Sequence, residues 1–178
     1  MITFPDIPLG SVLGLNYSGV HDSAISIVAP DGTLIFASAL ERFSRIKQDG
    51  RPPFVLLEDI PWDNIFKVAV STNEYFELPS KLESMLLRVK LLETRTEGLK
   101  HEKPFYDFLA QIPCEKEFVC HQMAHAASVY WGSGFNDALC LTYDGGMYNS
   151  PWFGGLYKAN VDSGIEPLEQ FNALEYAK

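Results

Sequence analysis

Residues Cys120 to Tyr148 read CHQMAHAASVYWGSGFNDALCLTYDGGMY, and the rest of the chain is arranged around this stretch. Its Ala-rich first part, Cys120 to Tyr130, is expected to be helical. In a helix the four-residue spacing of His121 and His125 sets both imidazoles on one face, one turn apart, where they can share an ion. Asp137 to Tyr143 reads as a short buried strand, and Asp144 closes it just before Gly145 and Gly146, which permit a sharp turn. A helix followed by such a strand can bring that carboxylate towards the two imidazoles. The spacing leaves a second reading open, in which both histidines are half-buried packing residues of an amphipathic helix; Asp144 brings the metal reading level with it.

The zinc-protease helix HExxH carries the same histidine pair, with a glutamate general base directly after the first. Gln122 stands in that place. An amide does not accept a proton at neutral pH, so the hydrolytic chemistry is lost while the two-histidine geometry survives. Cys120, on such a helix, points about 100° away from His121, which favours a buried cysteine over a ligand or nucleophile.

At 178 residues the chain suits one ordinary domain or part of a larger protein. With 47% hydrophobic and 13% aromatic residues it reads as globular. No segment approaches the ~18 consecutive apolar residues that span a bilayer, so no membrane partner is expected. The start, MITFPDIPLG, has an acidic residue and two prolines where a secretion signal needs a basic region and an apolar run, and a cytoplasmic location is expected. Cys114, Cys120 and Cys140 form no CxxC pair and leave an odd one over, which fits free thiols in a reducing compartment. A formal net charge of -9 argues against a general nucleic-acid surface.

Along the chain, Ser11 to Tyr17, Ala24 to Val28 and Leu34 to Ser38 read as a three-strand meander whose second turn is Pro30-Asp31-Gly32. The loop Ser18 to Ser23 between the first two strands is rich in small polar residues and backbone amides able to cradle an oxyanion, and it holds His21. Leu40 to Lys47 crowds three cations and a carboxylate into eight positions, which reads as a solvated charged turn. Ile65 to Ser71 reads as a fourth strand. Pro79 to Thr94 has helical spacing, a short helix is expected over Pro104 to Ile112, and Glu115 to Cys120 reads as a strand leading into the His helix. Trp152 to Lys158 and Glu166 to Phe171 read as a further strand pair. Strands grouped before and after a helical middle favour an α/β or α+β layer with a mixed sheet.

Three blocks in order, GLNYSGVHDSAISIV, LERFSRIKQD and HQMAHAASVYWGSGFNDALCLTYDGG, resemble the N-terminal part of the NodU/CmcH-type O-carbamoyltransferases. The resemblance touches both ends of residues 12 to 157 and leaves about Pro52 to Glu117 unmatched. Two departures are visible: the family's acidic run before RFSR is Ala39-Leu40-Glu41 here, and its Lys-His-Asp is Lys47-Gln48-Asp49. The resemblance implies an α/β lobe of the actin-like ATPase (RNase H-like) superfold, related to the enzymes that make threonylcarbamoyl-adenosine in tRNA. Residues 1–178 are then a single N-terminal lobe of a longer protein.

The same resemblance implies a partner domain similar to YrdC that makes carbamoyl-adenylate from carbamoyl phosphate and ATP, while this lobe passes the carbamoyl group to a hydroxyl of a small-molecule acceptor. It matches His121, His125 and Asp144 to metal ligands and His21 to a histidine near the transferred group, a general base. Asn16 and the Gly145-Gly146 turn fall where the superfold meets nucleotide phosphates. Two histidines and a carboxylate suit Fe(II), Zn(II) or Mn(II). Two other readings stand beside this one: a non-catalytic lobe that binds nucleotide or a partner, and a phosphotransferase of the same superfold. Kinases of that type place Asp where Asn16 stands, which counts against the latter.

Overall fold

The computed structural model describes residues 4–17, 22–72, 107–144 and 152–172. These fall into two compact units, one made of the described residues up to Thr72 and 107–118, the other of those from Val119 onwards. The architecture is α/β. The expected helix over Pro79 to Thr94 lies outside the described residues, as do the first residues of the one expected over Pro104 to Ile112; of the latter, residues 107–109 are helical.

The first unit is built on a mixed five-stranded sheet. Its strands are β1 (Ser11–Asn16), β2 (Ala24–Val28), β3 (Leu34–Ala39), β4 (Ile65–Thr72) and β5 (Lys116–Cys120), in the order β3-β2-β1-β4-β5. β1, β2 and β3 form the expected antiparallel meander, with Leu13 opposite Ile27 and Ile25 opposite Ser38. Side chains on a strand alternate between faces, and SVLGLN buries Ser11, Leu13 and Leu15 while Val12, Gly14 and Asn16 are half-buried. The turn after β2 closes through Gly32 N–H to the Ala29 carbonyl at 2.9 Å, with Gly32 at φ +85°, a conformation glycine adopts without a Cβ clash.

β1 also pairs with β4, in parallel, which sets Leu13 beside Val68 and Leu15 beside Val70. Parallel strands need a crossover, and here it passes through two single helical turns, α1 (Glu41–Ser44) and α2 (Phe54–Leu57). Residues 41–44, expected as a plain charged turn, thus make one turn of helix, closed by Arg45 at φ +59° donating to the Glu41 carbonyl. Leu40, Leu56, Leu57 and Ile60 from this crossover join Leu13, Leu15, Ile25, Ile27, Val68, Val70 and Phe108 in the core.

The loop that follows α1 is pinned by Asp49, which is buried. Arg51 grips its carboxylate through the guanidinium, Nε to Oδ1 at 2.9 Å and to Oδ2 at 3.2 Å, and Nη2 to Oδ2 at 2.7 Å. The Asp49 carbonyl accepts the Ser23 N–H at 2.9 Å, and the Ser23 carbonyl accepts the Leu40 N–H at 2.7 Å, so the loop is stitched to the start of β2. Hydrogen bonds from Arg51 and Ser44 hold the Asp49 carboxyl well below the usual carboxylate range. A depressed carboxylate contributes stability above its unfolded pKa that is lost as pH falls through the folded one, so this lock fails only in strong acid.

The second unit holds α3 (His121–Tyr130) and an antiparallel sheet of β6 (Asp137–Tyr143), β7 (Trp152–Asn160) and β8 (Gly164–Asn172), in that order. Gln122, Ala126 and Tyr130, four apart, form the buried stripe of α3. Ala126 and Tyr130 pack with Cys140, Tyr157 and Ala159. β6 occupies the expected residues but is buried on one face alone: Cys140 and Thr142 are covered, whereas Leu139, Leu141 and Tyr143 are exposed. It lies at the edge of its sheet, and only one face meets a packed layer. On β7 a Cβ at Gly154 would run into the Thr142 carbonyl and the Phe171 ring, so glycine is what lets the strands approach there.

None of the three cysteines is in a disulfide; Cys140 is buried and the other two are half-buried. Among the described residues no helix is long and apolar enough to cross a membrane.

Ile27 is fully buried at the centre of the first sheet, whereas Val28 is half-buried on the opposite face. Ile27→Asp is expected to destabilise the chain by roughly 4 kcal/mol, the cost of burying an unpaired charge, and Val28→Asp by clearly less. Urea unfolding of the two variants checks the order, and equal midpoints would mean that the face assignment is wrong.

Candidate metal centre

His121 and His125 are the first and fifth residues of α3, and the helical repeat stacks them on one side. Asp144 follows the last residue of β6, where its N–H donates to the Phe153 carbonyl at 2.7 Å and prolongs the β6–β7 ladder by one rung. The three side chains converge within the second unit. His121 Nε2 lies 2.9 Å from Asp144 Oδ2, His125 Nε2 lies 3.0 Å from His121 Nε2, and His125 Nε2 lies 3.4 Å from the same Oδ2. The imidazole planes are perpendicular, with centroids 4.5 Å apart. His121 is the most sheltered, its side chain 18% exposed, against 36% for Asp144 and 50% for His125.

The triangle of donor atoms has the size a cation needs. Ligand atoms held about 2.1 Å from one centre stand roughly 3.0 Å apart at right angles and roughly 3.4 Å apart at a tetrahedral angle. The three sides, 2.9, 3.0 and 3.4 Å, span those values. The donors' chemistry points the same way. Two neutral Nε2 atoms facing each other and one carboxylate oxygen have too few protons to satisfy every lone pair, unless one imidazole carries its hydrogen on Nε2. A cation satisfies all three at once. Two imidazoles with one carboxylate on one side of the ion, the other side open, is a donor set used by Fe(II), Zn(II) and Mn(II). Among the described residues this is the one group of three or more His, Cys, Asp or Glu side chains close enough to hold an ion.

Gln122 does not face the histidines. It is 1% exposed, on the buried stripe of α3, and neither its Nε2 nor its Oε1 has a hydrogen-bond partner among the described residues. The residue that replaces the protease glutamate is therefore turned into the interior. Cys120 ends β5 and precedes the first residue of α3.

The remaining expected site residues are distributed differently. Asn16 ends β1 in the first unit, and its Nδ2 donates to the Asp22 carbonyl at 2.8 Å, two residues before β2 begins. Asp22 itself is at φ +56°, a left-handed conformation that few residues other than glycine adopt. His21, Gly145 and Gly146 lie outside the described residues. Beside the ERFSR segment the first unit has an open cleft of about 460 Å³ between Leu40, Phe43, Arg51, Phe54 and Val55. Sequence reading passed over it because its walls come from α1, the Asp49 loop and α2, which only the crossover brings together.

No family model matches the chain. Over 167 residues, 89% of its length, it is 26% identical to nodulation protein NolNO of Sinorhizobium fredii (strain NBRC 101917 / NGR234). It is a distant relative of a nodulation protein. The chain spans about a quarter, 24%, of that relative. Among solved structures it is similar to YeaZ from Pseudomonas aeruginosa, with a TM-score of 0.44 at 7% identity, covering 89% of this chain and 64% of the other.

The orphaned amide of Gln122 makes a clean substitution. Gln122→Met replaces it by an apolar side chain of similar length, and removing two unpaired buried polar atoms is expected to leave the unfolding free energy unchanged or raise it by about 1 kcal/mol. Thermal and urea unfolding measure this. A marked loss of stability would mean that the amide has a partner in solution.

Proposed function

We propose that this chain is the N-terminal lobe of an O-carbamoyltransferase of the NodU/CmcH type, passing a carbamoyl group from carbamoyl-adenylate to a hydroxyl of a small-molecule acceptor. The observation that carries the reading is the convergence of His121, His125 and Asp144 to within bonding reach of one centre. The ordered motif blocks and the similarity to a nodulation protein support it. Because the chain spans a quarter of that relative, the complete reaction belongs to a longer protein, with the carbamoyl-adenylate supplied by a YrdC-like domain from carbamoyl phosphate and ATP. An actin-like ATPase fold for this lobe is part of the same proposal, supported by the mixed β3-β2-β1-β4-β5 sheet.

In this reading His121, His125 and Asp144 would hold a divalent transition metal, Fe(II), Zn(II) or Mn(II), which would supply Lewis acidity towards a carbonyl or phosphate oxygen. His21 takes the proton of the acceptor hydroxyl as its oxygen attacks the carbamoyl carbon. The bond from that carbon to the adenylate phosphate oxygen breaks, and AMP leaves with the electron pair. Asn16 and the Gly145-Gly146 turn supply polar contacts to the nucleotide. The reaction fits a reducing cytoplasm, where the three free thiols persist. A non-catalytic role as a nucleotide- or partner-binding lobe is favoured by one observation, the 24% coverage of the relative, and applies to the chain on its own.

Elemental analysis of the purified chain is expected to find about one equivalent of a divalent transition metal, lost in the His121→Ala, His125→Ala double variant; equal metal in both proteins would remove the site. In a complete protein containing this lobe, His21→Asn is expected to abolish acceptor carbamoylation, by at least ~100-fold, while ATP–pyrophosphate exchange in the other domain continues. If both activities fall together, His21 has a structural role; if transfer survives, it is not the base.

A further inference from the structure

Arg51 is anchored along one edge of its guanidinium and open at the other. The group offers five N–H donors in one plane. Those along its side, Nε and Nη2, are taken by the buried Asp49 carboxylate, which is itself fixed by the Arg51 backbone N–H at 3.1 Å and by the Ser44 hydroxyl. The end of the fork, formed by Nη1 and the second hydrogen of Nη2, is left over. Among the described residues Nη1 meets no acceptor. The Asp49 side chain is 2% exposed and that of Arg51 63%, so the fork is rooted in the protein and presented to solvent.

The fork borders the open cleft of about 460 Å³ in the first unit, whose other walls are largely apolar. Phe43, Phe54 and Val55 line it and are exposed, and Leu40 lines it from the core. The Phe54 ring meets Phe108 edge to face, with centroids 5.2 Å apart, which steadies that wall. An apolar concavity of this size with one convergent polar group is the usual form of a small-molecule site.

Charge sets the sign of the ligand. Leu40 to Val55 carries four cations, Arg42, Arg45, Lys47 and Arg51, against two carboxylates, Glu41 and Asp49, a local net charge of +2 in a chain whose total is -9. All four cations are exposed, whereas Asp49 is buried and Glu41 half-buried. A positive island on an acidic protein draws anions, and the planar end of a guanidinium matches the paired oxygens of a carboxylate or phosphate.

We propose that this cleft binds a small organic anion, with its carboxylate or phosphate oxygens on the Nη1–Nη2 end of Arg51 and its apolar body against Phe43, Phe54 and Val55. Asp49 is the positioning residue: it touches no ligand and holds the fork in the orientation the anion needs. The site lies wholly in the first unit and stands independently of the candidate metal centre. Its occupancy is felt beyond the cleft, because the Asp49 carbonyl accepts the Ser23 N–H at the end of the loop between β1 and β2.

Phenylacetate and phenyl phosphate carry the two anionic heads on one apolar body, benzyl alcohol is the uncharged counterpart, and inorganic phosphate is a head alone. Each is titrated into the 178-residue chain and followed through backbone amide resonances. At least one of the aryl anions is expected to shift the amides of Phe43, Ser44, Phe54, Val55 and Ser23, and to bind about tenfold more tightly than benzyl alcohol; which of the two does so identifies the head. Arg51→Lys keeps the charge without the fork and is expected to weaken that anion about tenfold. Since this change also touches the Asp49 pair, Val55→Glu serves beside it: it sets a like charge in the wall at an exposed position and is expected to abolish binding with the unfolding midpoint unchanged. The proposal is overturned if neither aryl anion shifts these amides up to its solubility limit, if benzyl alcohol binds as tightly, or if inorganic phosphate alone reproduces the shifts with equal affinity. It is likewise overturned if either variant, folded as the parent chain, binds the anion equally well.

Discussion

The contact between His121 Nε2 and Asp144 Oδ2, 2.9 Å across 23 residues of sequence, is the one on which the candidate centre depends. The histidine pair is local, a consequence of one helical turn. The carboxylate is not. It arrives because β6 and β7 stay in register through Tyr143, and because the Asp144 N–H finds the Phe153 carbonyl one step further on. A slip of one residue in that ladder would turn the carboxylate to the other face of the sheet and leave two imidazoles without their third partner.

That register has its own cause on β7. Gly154 lets the backbone approach Thr142 where a Cβ would collide, and the buried Tyr157 ring, opposite Cys140, fills the space between sheet and helix. The small core of the second unit, among the described residues five buried side chains with Met123, Ala138 and Ile165 beside them, therefore does more than hold the sheet to α3. It fixes the rotation of the helix about its axis. With Ala126 and Tyr130 turned inward, His121 and His125 are brought round to the side where β6 ends.

The two units use one connectivity in different surroundings. In the first, the crossover through α1 and α2 returns the chain as β4 and closes the edge of β1, and the core is correspondingly large. The Asp49–Arg51 pair, with the Ser23 and Leu40 backbone bonds, fastens that crossover at its middle. In the second, the first strand of the meander has no such neighbour among the described residues. The difference in burial between Leu13, wholly covered, and Leu141, 69% exposed, lies in the layer packed on each face rather than in the side chains themselves.

Strand and helix positions were legible in the chain because they rest on local periodicity: the alternation of Ser11 to Asn16, the proline and glycine of the first hairpin, and the Ala-rich run that carries both histidines. The grouping of those histidines with Asp144 was legible for the same reason, as spacing plus a turn signal, although no local pattern sets the distance between them. What only tertiary structure decided were matters of facing and cover. Gln122 reads as an ordinary polar residue beside a ligand, yet α3 is rotated so that its amide is buried. DALCLTY reads as a strand covered on both sides, yet one face meets solvent. The cleft beside the ERFSR segment and the Asp49–Arg51 lock are invisible in sequence order. The physical reason is common to all four: periodicity specifies which residues share a face, but which face is covered depends on the neighbouring layer, and that layer is assembled from residues far away in the chain.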